Sequence, residues 1–315
     1  MAKVLSRLLR REQRAFLARD RAAWGPHLDR VRAFLGEGLQ AADPARPVLV
    51  LGAGAGLEVP WDRAPAGTWG WDADPWSRVR TALRHRRWAP WVFEDLTGGL
   101  AALDAAARRA VAEPWSHRRR DPATAARRLA GLLPSLRPDP EALRAWIGAQ
   151  RPGTILAANV MGQFGAVAER VVEAAFGQAS PWEGDPERPD PLAEALEGWT
   201  RRALEAFLGA LADSGAALWL VHDRGVIFGP GPLDLGPWTD PWAAQLRGGC
   251  ELEVSDPLAG LEVAAFLGPQ HALLRRDRWL WSLAPGQRHL VEALAAPAIP
   301  VATVNPCPGP RPQGP

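Results

Sequence analysis

Gly52-Ala53-Gly54-Ala55-Gly56 is the first segment whose composition lets the backbone itself do chemistry. Glycines allow positive φ and place no Cβ between the main chain and a bound molecule. Their N–H groups can then point at an anion such as a carboxylate. Glu58 follows closely and would repel a ligand's acid group or attract its amine. Asp72, Asp95, Asn159 and the pair His222-Asp223 come later. A carboxylate at position 72 can accept both hydroxyl protons of a ribose. Asn159 can hydrogen-bond a reacting group or cap a helix. His222 and Asp223 could supply a general base. Each also has a structural alternative. The glycines could form a plain tight turn, Asp72 could be a helix cap or a surface carboxylate, and His222 could be a hydrogen-bonded core histidine. Asp74-Pro75 has the form of a helix start, with proline in the first turn, which favours Asp72 over Asp74 for the ribose.

The pattern around these residues predicts the elements that carry them. Val48 to Leu51 is a short, wholly apolar run that stops at the glycines, as expected of a strand buried on both faces. Thr68 to Trp71 ends at Asp72, Trp91 to Phe93 at Glu94-Asp95, Thr154 to Ala158 at Asn159, and Ala217 to Val221 at His222-Asp223. Helical patterns over 76–87, 99–112, 141–150, 165–176 and 192–212 separate most of them. Alternation of this kind marks βαβ units and a parallel sheet, in which ligands bind beyond the C-terminal strand ends. The polar residues fall at those ends in series. Residues 3–40 read as two helices broken at Gly25-Pro26. Leu261 to Leu267 and Trp279 to Leu283 read as an antiparallel edge pair. The stretches 113–140 and 177–191 read as irregular insertions, the form of lids and binding loops. Trp115 and Trp182 within them are candidates to line a substrate pocket. Three units are expected: a helical segment 1–46, a domain 47–295 and a disordered Pro-rich tail 296–315.

The formal net charge of +2 supplies no global field for a nucleic-acid partner. Basic runs such as Arg84-His85-Arg86-Arg87 and His117-Arg118-Arg119-Arg120 read first as solvated helix faces. Cys250 and Cys307 stand far apart without metal-ligand spacing, which points to a reducing cytoplasm and no metal. No uninterrupted apolar run is long enough for a membrane span.

Val48 to Gly56, a strand followed by GxGxG, resembles the first motif of class I S-adenosylmethionine-dependent methyltransferases. Asp72, with Ala73 beside it, resembles the acidic end of their second strand. Glu94-Asp95-Leu96 resembles the position after the third strand, whose acid takes the adenine amino group. Asn159 with Met161 to Phe164 resembles the segment bordering the methyl donor and substrate. The resemblance spans about residues 47–225 and is nearest to a loosely defined bacterial methyltransferase-like group. It implies an α/β fold, Rossmann-like and doubly wound, with a seven-stranded, mostly parallel sheet. It implies S-adenosylmethionine as cofactor, touched by Gly52, Ala53, Gly54, Gly56, Asp72, Ala73, Asp95, Leu96 and Asn159. Asn159, His222 and Asp223 become candidates at the reacting end, and Gln163, Trp115 and Trp182 candidates for an unidentified acceptor. A small molecule is favoured over nucleic acid.

The stretch 52–67 is short for a parallel crossover, so the first helix must be very short, and Pro60 would break its interior. The rival readings are a nicotinamide oxidoreductase, whose GxGxxG would need glycine where Leu57 stands, a polyamine synthase, and a cofactor-binding scaffold without turnover.

Overall fold

The computed structural model describes residues 21–112, 121–177, 181–182, 190–229, 253–268, 271–284 and 286–299. Their helices are α1 (Arg21–Gln40), α2 (Trp76–His85), α3 (Leu100–Ala112), α4 (Pro122–Leu132), α5 (Glu141–Gln150), α6 (Gln163–Phe176), α7 (Pro191–Ala212) and α8 (Val263–Leu267). Their strands are β1 (Val48–Leu51), β2 (Thr68–Trp71), β3 (Trp91–Val92), β4 (Thr154–Ala158), β5 (Ala217–Phe228), β6 (Glu253–Ser255), β7 (Arg275–Ala284) and β8 (Gln287–Ala296). The sheet order is β3-β2-β1-β4-β5-β8-β7, with β6 pairing the far end of β5. β1 to β5 run parallel, while β8 is antiparallel to both β5 and β7. The chain thus forms the mostly parallel α/β sheet that the strand-helix alternation implies, with seven strands on the main path.

The apolar run Val48–Leu51 is explained by burial on two faces. Successive strand side chains point to opposite sides. Leu49 and Leu51 enter the core made with α3 to α8, whereas Val48 and Val50 pack with α1, Trp61 and the tryptophans of β7. β1 has β2 on one side and β4 on the other. The order therefore reverses between β1 and β4, and their C-terminal ends diverge into a crevice, the usual ligand position in open α/β sheets.

Several expectations need correction. α1 runs through Pro26 instead of breaking there. The β1–β2 crossover contains a single 3-10 turn, Trp61–Arg63, with Pro60 just before it. This accommodates the short stretch without a helix for Pro60 to interrupt. β3 holds two residues and stops before Phe93. Residues 263–267 are helical, and the antiparallel pair is β7 with β8, the latter unforeseen. Its end at Ala296 carries the sheet to the first residue assigned to the tail. Within the stretch 113–140 the described residues 121–140 are largely helical: the Asp121 carboxylate accepts hydrogen bonds from the N–H groups of Ala123 and Thr124, with Pro122 in the first turn. Asp190 and Pro191 start α7 in the same way. Asp-Pro before an apolar-periodic run was therefore a legible start signal in both stretches. Residues 3–20 and 300–315, together with Trp115 and the basic run 117–120, lie outside the described residues. No helix among those described is long and apolar enough to cross a membrane.

Candidate functional site

A cleft of about 450 Å³ opens over the ends of β1, β2 and β4, a size suited to a small ligand or cofactor. Its floor is the glycine turn. Gly52, Gly54 and Gly56 have φ of 61°, 52° and 67°, where a Cβ is strained. A Cβ on Gly52 would also sit 2.6 Å from Val160 Cγ2, and one on Gly56 2.7 Å from Thr81 Oγ1. Glycine at 52 lets the turn close against the segment after β4, and glycine at 56 lets it close against α2.

The turn is braced from both sides. Ala53 N–H donates to the Trp71 carbonyl at 3.2 Å, Gly56 N–H to the Ala53 carbonyl at 2.9 Å, and Gly54 N–H to Asp72 Oδ2 at 2.7 Å. Three N–H groups expected to face an anion are thus spent inside the protein. On the outer side, Arg32 Nε donates to the Leu57 carbonyl at 2.6 Å, and Arg84 donates to the Ala55 carbonyl. His85 Nε2 lies 2.7 Å from the Gly56 carbonyl oxygen, and Arg87 holds the carbonyls of Trp61, Ala64 and Pro65. The basic run 84–87, read first as a solvated face, is in large part an internal clamp on the crossover.

Asp72 is buried at the end of β2 and lines the cleft. Its Oδ1 accepts the Asp74 N–H at 2.8 Å. Burial raises its pKa, against the pull of hydrogen bonds from Asp74, Gly54 and Ser77. A carboxylate has about four acceptor directions, so it retains capacity for a ligand hydroxyl. Asp95 also lines the cleft, but its carboxylate accepts from the N–H groups of Thr97, Gly99 and Leu100 and from the Thr97 hydroxyl. These bonds tie the loop to the first residue of α3 and leave Asp95 little acceptor capacity. Ala73 and Leu96 lie alongside on the same wall.

Glu58 faces the cleft from beyond the glycine turn. Burial pushes its carboxyl up to about 7, despite hydrogen bonding from Asn159 and the positive charges of Arg32 and Arg84. Both arginines are committed to carbonyls. Asn159 has φ 54°, and its N–H donates to the Val221 carbonyl at 2.7 Å. Its side chain lies 3.4 Å from His27 Nε2. His27 Nδ1 accepts from Trp279 Nε1 at 3.2 Å, and burial lowers its pKa to about 4. Gln163, at the start of α6, completes this wall.

His222 and Asp223 do not end a strand; β5 continues to Phe228. As strand neighbours they point to opposite faces. His222 is fully buried, 3.5 Å from Glu292 Oε2, and is not among the residues lining the cleft. Glu292 Oε1 accepts from Arg276 Nε at 2.8 Å and Arg278 Nε at 2.6 Å. Burial opposes its ionisation, yet His222, Arg276 and Arg278 together hold its pKa down to about 2. Asp223, on the other face, bonds His289 Nδ1 at 2.9 Å. Trp182 packs on α6 with Nε1 3.5 Å from Glu173 Oε1, roughly 15 Å along the helix from Gln163 at 1.5 Å per residue. The structure brings together Gly52, Gly54, Asp72, Ala73, Asp95, Leu96, Asn159 and Gln163 on the cleft wall, and leaves Ala53, Gly56, His222, Asp223 and Trp182 off it. His27 and Gln287 were missed; both lie outside the strand-end series, and no local pattern marks them.

No protein-family model matches the chain, and no curated protein matches it. Among solved structures, the N-methyltransferase NodS from Bradyrhizobium japonicum WM9, in complex with S-adenosyl-L-homocysteine, is 10% identical. The match covers 85% of this chain and 86% of that one, with a TM-score of 0.37. The magnesium protoporphyrin IX methyltransferase ChlM from Synechocystis PCC 6803, with bound SAM, is 12% identical over 87% and 80% of the chains, with a TM-score of 0.35. A SAM-dependent methyltransferase from Anabaena variabilis is 11% identical over 87% and 92%, with a TM-score of 0.37.

Proposed function

We propose that the chain is an S-adenosylmethionine-dependent methyltransferase acting on a small-molecule acceptor. The observation that carries this reading is the convergence of the glycine turn, Asp72 and Asn159 on one open cleft at the β1/β4 switch point. Asp72 would hold a ribose hydroxyl of the donor with its remaining acceptor direction. Leu96, Leu100 and Phe164 offer apolar surface to the adenine ring. Glu58, a cleft carboxylate with no ion pair among the described residues, suits the ammonium group of the donor's amino-acid end. Because three turn N–H groups are spent internally, that end is recognised more through Glu58 than through an anion cradle.

Methyl transfer is an in-line displacement at a sulfonium carbon, so the protein's main work is orientation. Asn159, held in a left-handed backbone conformation at the strand end, borders the reacting end. An open cleft, not filled by side chains, supports ligand binding over a scaffold. Isothermal titration with S-adenosylmethionine, S-adenosylhomocysteine and NAD tests the proposal. Heat on adding the two sulfur compounds and none with NAD is expected; the reverse pattern would overturn it. Transfer of labelled methyl groups to a cell extract then identifies the acceptor.

A further inference from the structure

Asp223, His289 and Gln287 form a file of hydrogen bonds that starts inside the sheet and ends at the cleft wall. Asp223 lies where the β5–β8 register shifts, and its Oδ2 is 2.9 Å from His289 Nδ1. His289 Nε2 is 3.2 Å from Gln287 Nε2, and Gln287 lines the cleft with Glu58 and Asn159. A carboxylate on Nδ1–H leaves the neutral imidazole with a lone pair at Nε2. That lone pair requires an N–H donor, which is the amide orientation observed. Gln287 Oε1 is then the free end, without a partner among the described residues.

The imidazole of His289 sits among other rings. Trp281 of β7 stands over His289 with ring centroids 4.9 Å apart, and His27 of α1 stacks on the same indole at 4.0 Å. Burial lowers the His27 pKa to about 4, against the pull of Asp223. Arg30 also acts on His27 from α1, and Arg288, next in β8, turns away to donate to the Gly229 carbonyl.

We propose that Gln287 Oε1 receives the N–H or O–H of the methyl acceptor, with His289 and Asp223 as positioning residues that hold the amide carbonyl outward. This rests on the methyltransferase reading and gives the acceptor class: a hydroxyl or a primary or secondary amine. In the step, the methyl carbon's bond to sulfur breaks as its bond to the acceptor's oxygen or nitrogen forms. Sulfur keeps the electron pair of the broken bond, and the acceptor's lone pair makes the new one. The acceptor's proton passes to water, because an amide oxygen orients a proton without taking it.

The test is nitrogen-15 NMR of the histidine rings and glutamine amides of the full chain with S-adenosylhomocysteine. His289 is expected as the Nδ1–H tautomer, with one Gln287 amide proton shifted downfield. Acidification that protonates His289 must flip the amide and remove that shift, and Asp223→Ala, which removes the acceptor at Nδ1–H, must shift the tautomer balance. An Nε2–H tautomer, or a Gln287 amide indifferent to His289 protonation, would overturn the proposal. Phenol and anisole then probe the cleft: phenol, which carries the proton, is expected to move the Gln287 amide signal and anisole to leave it. An equal response to both would also overturn it. Absence of any shift on adding S-adenosylhomocysteine instead refutes the donor reading, while the tautomer result still judges the relay.

Discussion

Two carboxylates shielded from water, fully buried Glu292 in β8 and half-buried Glu58 in the β1–β2 crossover, meet opposite fates. Glu292, between β5 and β7, has two arginines on one oxygen and a histidine near the other, and its pKa falls to about 2. Glu58, at the β1/β4 crevice, has its nearest arginines turned to backbone carbonyls, and its pKa rises to about 7. Burial opposes charge in both cases; the difference is whether the protein supplies the counter-charge. Where it does, the group belongs to the fold. Where it does not, the site has room for a cation from outside, and the proposed donor, with its ammonium and sulfonium groups, would provide one.

The contrast can be broken most forcefully at Glu292. Glu292→Ala leaves Arg276, Arg278 and His222 without their shared partner and should cost about 3–5 kcal/mol of stability, read by denaturant unfolding at pH 7. A loss below about 1 kcal/mol would mean that the cluster is not a structural unit.

Glu58 should behave in the opposite sense. Its folded pKa lies above the unfolded value of 4.5, so its contribution is fully favourable below pH 4.5 and is lost as pH rises through about 7. Without ligand, Glu58→Gln should therefore raise stability at pH 8 by up to about 3 kcal/mol and change little at pH 4. Thermal melts at both values check this, and a stability loss at pH 8 would reveal a counter-charge.

Asp72→Ala should weaken S-adenosylhomocysteine binding by about 1–3 kcal/mol through a lost charge-assisted hydrogen bond, measured by titration on a variant shown to be folded. Unchanged affinity would remove Asp72 from the site. The smallest effect is expected for Trp182→Ala, which should alter donor affinity by less than about 0.5 kcal/mol, as for a residue remote from the ligand. A larger change would connect that end of α6 to the cleft.

The parallel half of the fold was legible because its signals are local. Val48–Leu51 can be apolar throughout only if both faces are covered, and the glycines mark a turn that side chains would block. The antiparallel half was less so. β8 carries Arg288, His289 and Glu292 among its apolar residues, and their burial depends on β5 and β7, distant in sequence. Asp95 illustrates a different limit: its position after a strand was readable, but not the four donors of the following loop that occupy it.

Residue order alone settled which backbone stretches alternate as strand and helix, and that glycines and an acid follow the first two strands, because periodicity and φ preference act over a few neighbours. Tertiary packing decided that His222 turns into a charged core while Asp223 turns towards His289, and that Gln287 arrives at the cleft from the far end of the chain. Adjacent strand residues face opposite sides, and the partners waiting on each side come from segments that meet only when the sheet closes.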